Sequence, residues 1–171
     1  MSEKDTTASS TPTPAPSPME LVLQFHHTYS VPIRPFSDPT LDYERMNMRM
    51  SLIAEEFAEL MGAVYGPRAR AIIEAATVEA VAADEGERDV IEAADALADL
   101  VYVVYGMAIE SGMNLDSVLA EVQASNLSKL MPDGSVKLRE DGKVLKGPNF
   151  FQPNIARGLG LESPTDSGEA D

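Results

Sequence analysis

Six carboxylates fall in two short stretches of the chain, AEEFAEL (Ala54–Leu60) and EAADALAD (Glu92–Asp99). At 100° per residue, Glu92, Asp95 and Asp99 lie within about 60° of one another, on one stripe of a helix. Everything else from Glu92 to Gly106 is apolar or small, as a buried helix would be. On the other stretch, with Ile53 set at 0°, Glu56 lies near about −60°, Glu59 near about −120° and Glu55 further round at about 200°. Glu56 and Glu59 therefore flank an apolar seam, one turn apart. Ionised carboxylates beside buried faces cost several kcal/mol each unless compensated by cations, protons or metal ions. Cations are scarce: between Met50 and Asp99 the only ones are Arg68, Arg70 and Arg88, at expected breaks or helix ends. Protonating a cluster of acids at neutral pH requires a pKa shift of several units in each. An all-oxygen donor set suits Mg²⁺, with Mn²⁺ as a substitute. The two histidines are adjacent, which speaks against zinc. A solvated acidic face is the plain alternative. It is stronger for AEEFAEL alone than for the second stretch, whose helix carries no other charge between Asp89 and Ile109.

The elements that must position these acids are helical. Met19 to about Tyr29 reads as a short helix with Ser17 as N-cap and Pro18 at its first position. VPIRPFSDP is an extended, proline-rich connector. Thr40 or Asp38 opens a long helix to about Tyr65, stopped by Gly66-Pro67. Its seam runs through Met46, Met50, Ile53, Phe57, Leu60 and Val64. A helix follows from Arg68 to about Ala83, another from Asp89 to Ser111 ended by Gly112, and a last one capped by Asn114 reaches about Met131. Beyond Pro132, two short alternating runs around Asp141-Gly142 predict a small hairpin with a type I′ turn. The expected fold is all-α, a bundle of four or five helices with a C-terminal β-hairpin.

The expected organisation is a Ser/Thr/Pro-rich disordered leader over 1–18, one helical domain over 19–157 with the hairpin extension at about 132–157, and a disordered tail over 158–171. No apolar run follows Lys4 as in a secretory signal, and none approaches the ~18 residues that span a bilayer. The absence of cysteine removes disulfides, thiolate metal sites and cysteine nucleophiles together. A cytoplasmic location fits. The net charge of −15 opposes binding to nucleic-acid polymers or anionic membranes, though not to a nucleotide accompanied by metal ions. Against that background the segment Asn126–Arg157 holds Lys129, Lys137, Arg139, Lys143, Lys146 and Arg157 against Asp133, Glu140 and Asp141, a local excess of positive charge.

These motifs resemble the MazG-like all-α nucleoside triphosphate pyrophosphohydrolases, a superfamily that includes dimeric dUTPases, dCTPases and phosphoribosyl-ATP pyrophosphohydrolases. AEEFAEL matches its E-E-x-x-E motif. DALADLVYVVYG looks like its second acidic motif, and SNLSK with DGKVLKGPNFFQP looks like the C-terminal stretch of phage and bacterial members. The likeness covers about Leu21 to Pro153. It departs at Ala96, where the family has a Glu three residues before the acid corresponding to Asp99. Either Asp95 replaces that Glu, with Asp99 beside it and Glu92 as an outer contributor, or Glu92 and Asp95 are the pair; the first is preferred. The resemblance implies that Glu56, Glu59, Asp95 and Asp99 hold Mg²⁺ and that Glu55 binds a second metal or takes the proton of the attacking water, with Glu55 and Glu56 the catalytic acids. It also implies that Asn126 and Lys129 reach the substrate, and that the assembly is a homodimer or a dimer of dimers. Lys143 and Lys146 are expected to contact phosphates, and Tyr102 to face the pocket. Phe25 and the histidines beside it are equally well explained as core and surface. The expected function is Mg²⁺-dependent hydrolysis of a (d)NTP to the (d)NMP and pyrophosphate in nucleotide-pool sanitation. The alternatives are phosphoribosyl-ATP hydrolysis in histidine biosynthesis, or a non-catalytic helical module that binds a metal or nucleotide.

Overall fold

The computed structural model describes residues 15–138 and 143–161. The helices are α1 (Pro18–Thr28), α2 (Met46–Tyr65), α3 (Pro67–Ala82), α4 (Val90–Glu110), α5 (Leu115–Leu127) and a short α6 (Ile155–Gly158). The chain divides into two compact units, one drawn from Met1–Ile33 and Val104–Asp171, the other from Arg34–Val103.

In the Arg34–Val103 unit, α2 and α3 form a tight hairpin turned by a single residue. Gly66 has φ +96°, a conformation that penalises any side chain, and Pro67 at the first position of α3 prevents the first helix from continuing. Gly62 lets α3 approach closely, since a Cβ there would stand 3.1 Å from that of Arg70. One turn earlier, Ala58 is fully buried. The seam of α2 is less covered than its spacing predicts, with Phe57 at 45% and Met50 at 53% exposure. The helix also starts later than expected, at Met46. Thr40 Oγ1 accepts from the Asp42 amide in a local turn, so it does not cap a helix, and no side chain caps α2.

The other unit is built on α5, against which α1 and α6 pack. Ser17 and Glu20 form a reciprocal capping box at the start of α1. Tyr29, just past its end, is 2% exposed and donates through its hydroxyl to the carbonyls of Asn126 (2.6 Å) and Leu127 (3.2 Å). Those carbonyls lie at the C-terminus of α5, which ends at Leu127, short of the expected Met131; Ser128 Oγ donates to the Ser125 carbonyl beside them. Gly112 (φ +69°) closes α4 and Asn114 caps α5, both as expected.

The hairpin is corrected. Among the described residues there is no β-sheet, only one antiparallel bridge, Leu138 to Val144, with the Leu145 amide donating to the Lys137 carbonyl. The expected turn at Asp141-Gly142 lies outside the described residues, as do 1–14 of the leader and 162–171 of the tail. The chain leaves the bridge at once, because the Gly147 amide donates to the Lys129 carbonyl beyond α5. It then runs on through α6, past the boundary expected at residue 157.

Candidate active site

All six carboxylates of the two motifs are exposed, Glu55, Glu56 and Glu59 on α2 and Glu92, Asp95 and Asp99 on α4. Their helical placement is as expected. One element of the electrostatic reasoning is not. Arg70, one of the scarce cations expected at breaks or helix ends, reaches from the first turn of α3 to Glu59 (3.2 Å) while its Nε donates to Glu74 (2.7 Å). Gly62 is what allows this, because its missing side chain leaves room for the Arg70 stem against α2. Both side chains are about half exposed, so the pair is weak and easily exchanged for a stronger ligand. Glu56, Glu92, Asp95 and Asp99 have no hydrogen-bond or ion-pair partner for their carboxylates among the described residues. Uncommitted oxygen donors of this kind fit a hard divalent cation. Within the single chain, no three or more Asp, Glu or His among the described residues are gathered closely enough to hold an ion.

The apolar surface around these acids is open as well. On α4, Ile91 is 84% exposed and Tyr102 78%, and Val101, Val103 and Ile109 are exposed too. Within the Arg34–Val103 unit, α2 packs closely with α3, and among the described residues neither packs closely on α4. Further along α4 the surface is partly covered: Ala108 is buried, and Tyr105 is half-buried and donates to Asp116 Oδ1 at 2.8 Å, with burial together with that carboxylate raising its pKa.

The expected substrate-contacting cations belong to the unit built on α5. Lys129 is half-buried just past the end of that helix, and its ammonium donates to Asn126 Oδ1 at 2.6 Å. Burial is the main cause that lowers its pKa, with the charge of Lys146 a second one. The Lys146 ammonium stands 4.3 Å from the centre of the Phe150 ring. The Lys143 side chain lies between exposed and buried. The sequence reading did not find what fixes these groups: Ser125, Ser128 and Gly147. The available signals were two serines three residues apart in an otherwise helical run and the Gly-Pro of KGPN.

The profile of the phosphoribosyl-ATP pyrophosphohydrolase family matches residues 22–126, more than half of the chain and the part that holds both acid motifs. The crystal structure of a protein from Exiguobacterium sp. 255-15, provisionally assigned as an NTP pyrophosphohydrolase, aligns with a TM-score of 0.65 and 27% identity, covering 84% of this chain and 94% of that one. A search of the curated proteins finds no match. The helical architecture and the paired acid motifs are those of the MazG-like all-α pyrophosphohydrolases, hydrolases of pyrophosphate bonds. Within that superfamily, the chain belongs to the phosphoribosyl-ATP pyrophosphohydrolase family.

Proposed function

We propose that the protein is a Mg²⁺-dependent nucleoside triphosphate pyrophosphohydrolase that adds water across a phosphoanhydride bond of a (d)NTP, releasing the (d)NMP and pyrophosphate. The observation that carries this reading is the pair of exposed carboxylate ladders on α2 and α4 in a chain of this family, in which Glu56, Glu92, Asp95 and Asp99 have no partner among the described residues. Glu56, Glu59, Asp95 and Asp99 would hold Mg²⁺, with Glu92 outside them and Mn²⁺ a possible substitute. Such an ion, when bound, neutralises charge on phosphate oxygens and acidifies a water molecule. Glu55, set apart from Glu56 and Glu59 around α2, accepts the proton of the attacking water. Glu59 exchanges its contact with Arg70 for the ion. Asn126, Lys129, Lys143 and Lys146 bind the substrate as dipole and point charges, and Tyr102 lines the nucleoside side.

This reading requires the apolar surfaces of α2 and α4 to be covered, since that is what would bring the acids to a common ion. A second copy of the chain is the proposed cover, giving a homodimer or a dimer of dimers. Among the described residues no helix is long and apolar enough to cross a membrane; we place the protein in the cytoplasm, where its substrates are.

The family's own designation favours a second reading, phosphoribosyl-ATP as the substrate. One experiment separates the two. Purified protein with Mg²⁺ is given canonical and modified (d)NTPs and phosphoribosyl-ATP, and pyrophosphate release is measured. Turnover of one or more triphosphates, with little from phosphoribosyl-ATP, is expected. Turnover of phosphoribosyl-ATP alone would establish the second reading, and no release from any substrate would overturn both.

A further inference from the structure

Residues 146–160 form a strap laid antiparallel along α5. Its first fastening is at Gly147, which is buried and donates its amide to the Lys129 carbonyl at 3.0 Å. A Cβ on Gly147 would meet the Leu130 carbonyl oxygen at 2.4 Å and that of Lys129 at 2.9 Å. Those are backbone atoms with little freedom to yield, so only glycine lets the strap lie this close. The second fastening is a two-way exchange at Phe151: its carbonyl accepts from Ser125 Oγ (2.8 Å) and its amide donates to Ser128 Oγ (3.1 Å). Ser125 is 4% exposed, which makes its hydrogen bond costly to lose. Further back along α5, Arg157 grips Glu121 through two bonds, at 2.7 and 2.6 Å, and Gly158 passes Val118 so closely that a Cβ would stand 3.0 Å from its Cα.

These fastenings hold Lys146 next to Lys129. Two like charges are thereby brought together in a chain that is otherwise strongly acidic, and one of them is half-buried. Among the described residues neither ammonium pairs with a carboxylate; Lys129 meets a carboxamide and Lys146 an aromatic ring. Such a pair is unfavourable alone and favourable around a polyanion. We propose that Ser125, Ser128 and Gly147 are positioning residues that set the register of the strap, so that Lys129 and Lys146 form a two-point clamp for the phosphate chain of the substrate. The inference deepens the functional reading above and rests on its assignment of α5 to the substrate. It adds a specificity element whose residues, Ser125 apart, lie beyond the part of the chain matched by the family profile. The clamp takes a chain of two or more phosphates and disfavours a monophosphate, which offers only one end to grip.

The probe is inorganic tripolyphosphate, titrated calorimetrically into the full-length protein in metal-free buffer, with inorganic phosphate as the comparison. Tripolyphosphate should bind and phosphate should not. Lys146→Gln should weaken tripolyphosphate binding by about tenfold or more, the loss of one charge-assisted contact, and Lys146→Arg should restore most of it. Gly147→Ala should weaken it comparably through displacement of the strap, with helical circular dichroism retained. Ser125→Ala combined with Ser128→Ala provides a second route to the same displacement without steric conflict. In turnover assays these variants should raise KM more than they lower kcat. Absence of tripolyphosphate binding to the wild type, or unchanged binding in Lys146→Gln, would overturn the clamp even if triphosphates are hydrolysed. Binding that depends on Lys146 and Gly147, in a protein that hydrolyses no nucleotide, would uphold the clamp and sink the enzymatic reading instead.

Discussion

The two units of the chain use polar groups in opposite ways. In the unit built on α5, polar side chains are spent on structure: Tyr29 on the end of α5, Gln123 on Gln24, Ser125 and Ser128 on Phe151, Glu121 on Arg157. In the Arg34–Val103 unit, Glu56, Glu92, Asp95 and Asp99 have no partner among the described residues, and they stand among apolar side chains that are also uncovered. Satisfied groups mark a region whose structure is complete in itself. Unsatisfied groups next to open apolar surface are what the proposed function requires of a region whose partners, ions and a second copy, come from outside.

The sharpest way to break that contrast is to remove a carboxylate with no structural task. Glu56→Gln and Asp99→Asn should each lower pyrophosphate release by at least about a hundredfold, because even changes beyond the ligand shell of a metal site commonly cost ~10–100-fold. Their melting temperatures should stay near or above that of the wild type, since like-charge repulsion is relieved. A large loss of stability would instead mean that these acids are structural.

The next test concerns the open apolar surface. Val101→Asp places a charge on the exposed face of α4 and should dissociate the assembly, read by sedimentation velocity, with activity falling in step. A monomeric wild type at assay concentration would remove the basis of this prediction.

In the other unit the expected damage is to stability. Tyr29→Phe deletes the hydroxyl that serves two carbonyls and should destabilise by about 1–3 kcal/mol in denaturant unfolding. Activity per folded molecule should change far less than in the carboxylate variants.

Smaller effects follow where ion pairs are exposed. Arg70→Gln should change stability by less than about 1 kcal/mol, while the freed Glu59 should raise metal affinity modestly by calorimetry. The Asp84–Arg88 pair gives the smallest effect. Hydrogen bonds from Arg88 and from the Gly86 amide lower the Asp84 pKa from 3.8 to about 2. A depressed folded-state pKa stabilises above the unfolded value, and that contribution is lost as the pH falls from 3.8 to about 2. Asp84→Asn should therefore flatten the acid limb of a plot of melting temperature against pH, and only slightly.

Much of the helical frame was legible in the sequence, because its signals are local. Ser17-Pro18, Gly66-Pro67, Gly112 and Asn114 punctuate the chain where the helices begin and end. Most of the failures have non-local causes. Helix α5 stops at Leu127, four residues short of the expected Met131, with the Tyr29 hydroxyl on its last carbonyls from 97 residues away. The hairpin shrinks to one bridge as Gly147 is drawn onto Lys129. The late start of α2 is an error of local chemistry, since a threonine that closes a turn resembles one that caps a helix. For the proposed site, type and spacing are what single out the acids, because ligand chemistry is written in side-chain identity. The contact from Arg70 to Glu59 was missed, since it depends on a glycine four residues before the α2–α3 turn. The strap was missed because its fastenings join residues far apart in sequence, from Lys129 with Gly147 to Glu121 with Arg157.

The role of the two acid ladders is tested most directly by titrating Mg²⁺ into the wild-type protein by calorimetry, alone and with a non-hydrolysable triphosphate analogue. Saturable uptake, strengthened by the analogue and abolished in Glu56→Gln and Asp99→Asn, is the expected result. No uptake under either condition, or uptake unchanged in both variants, would contradict it.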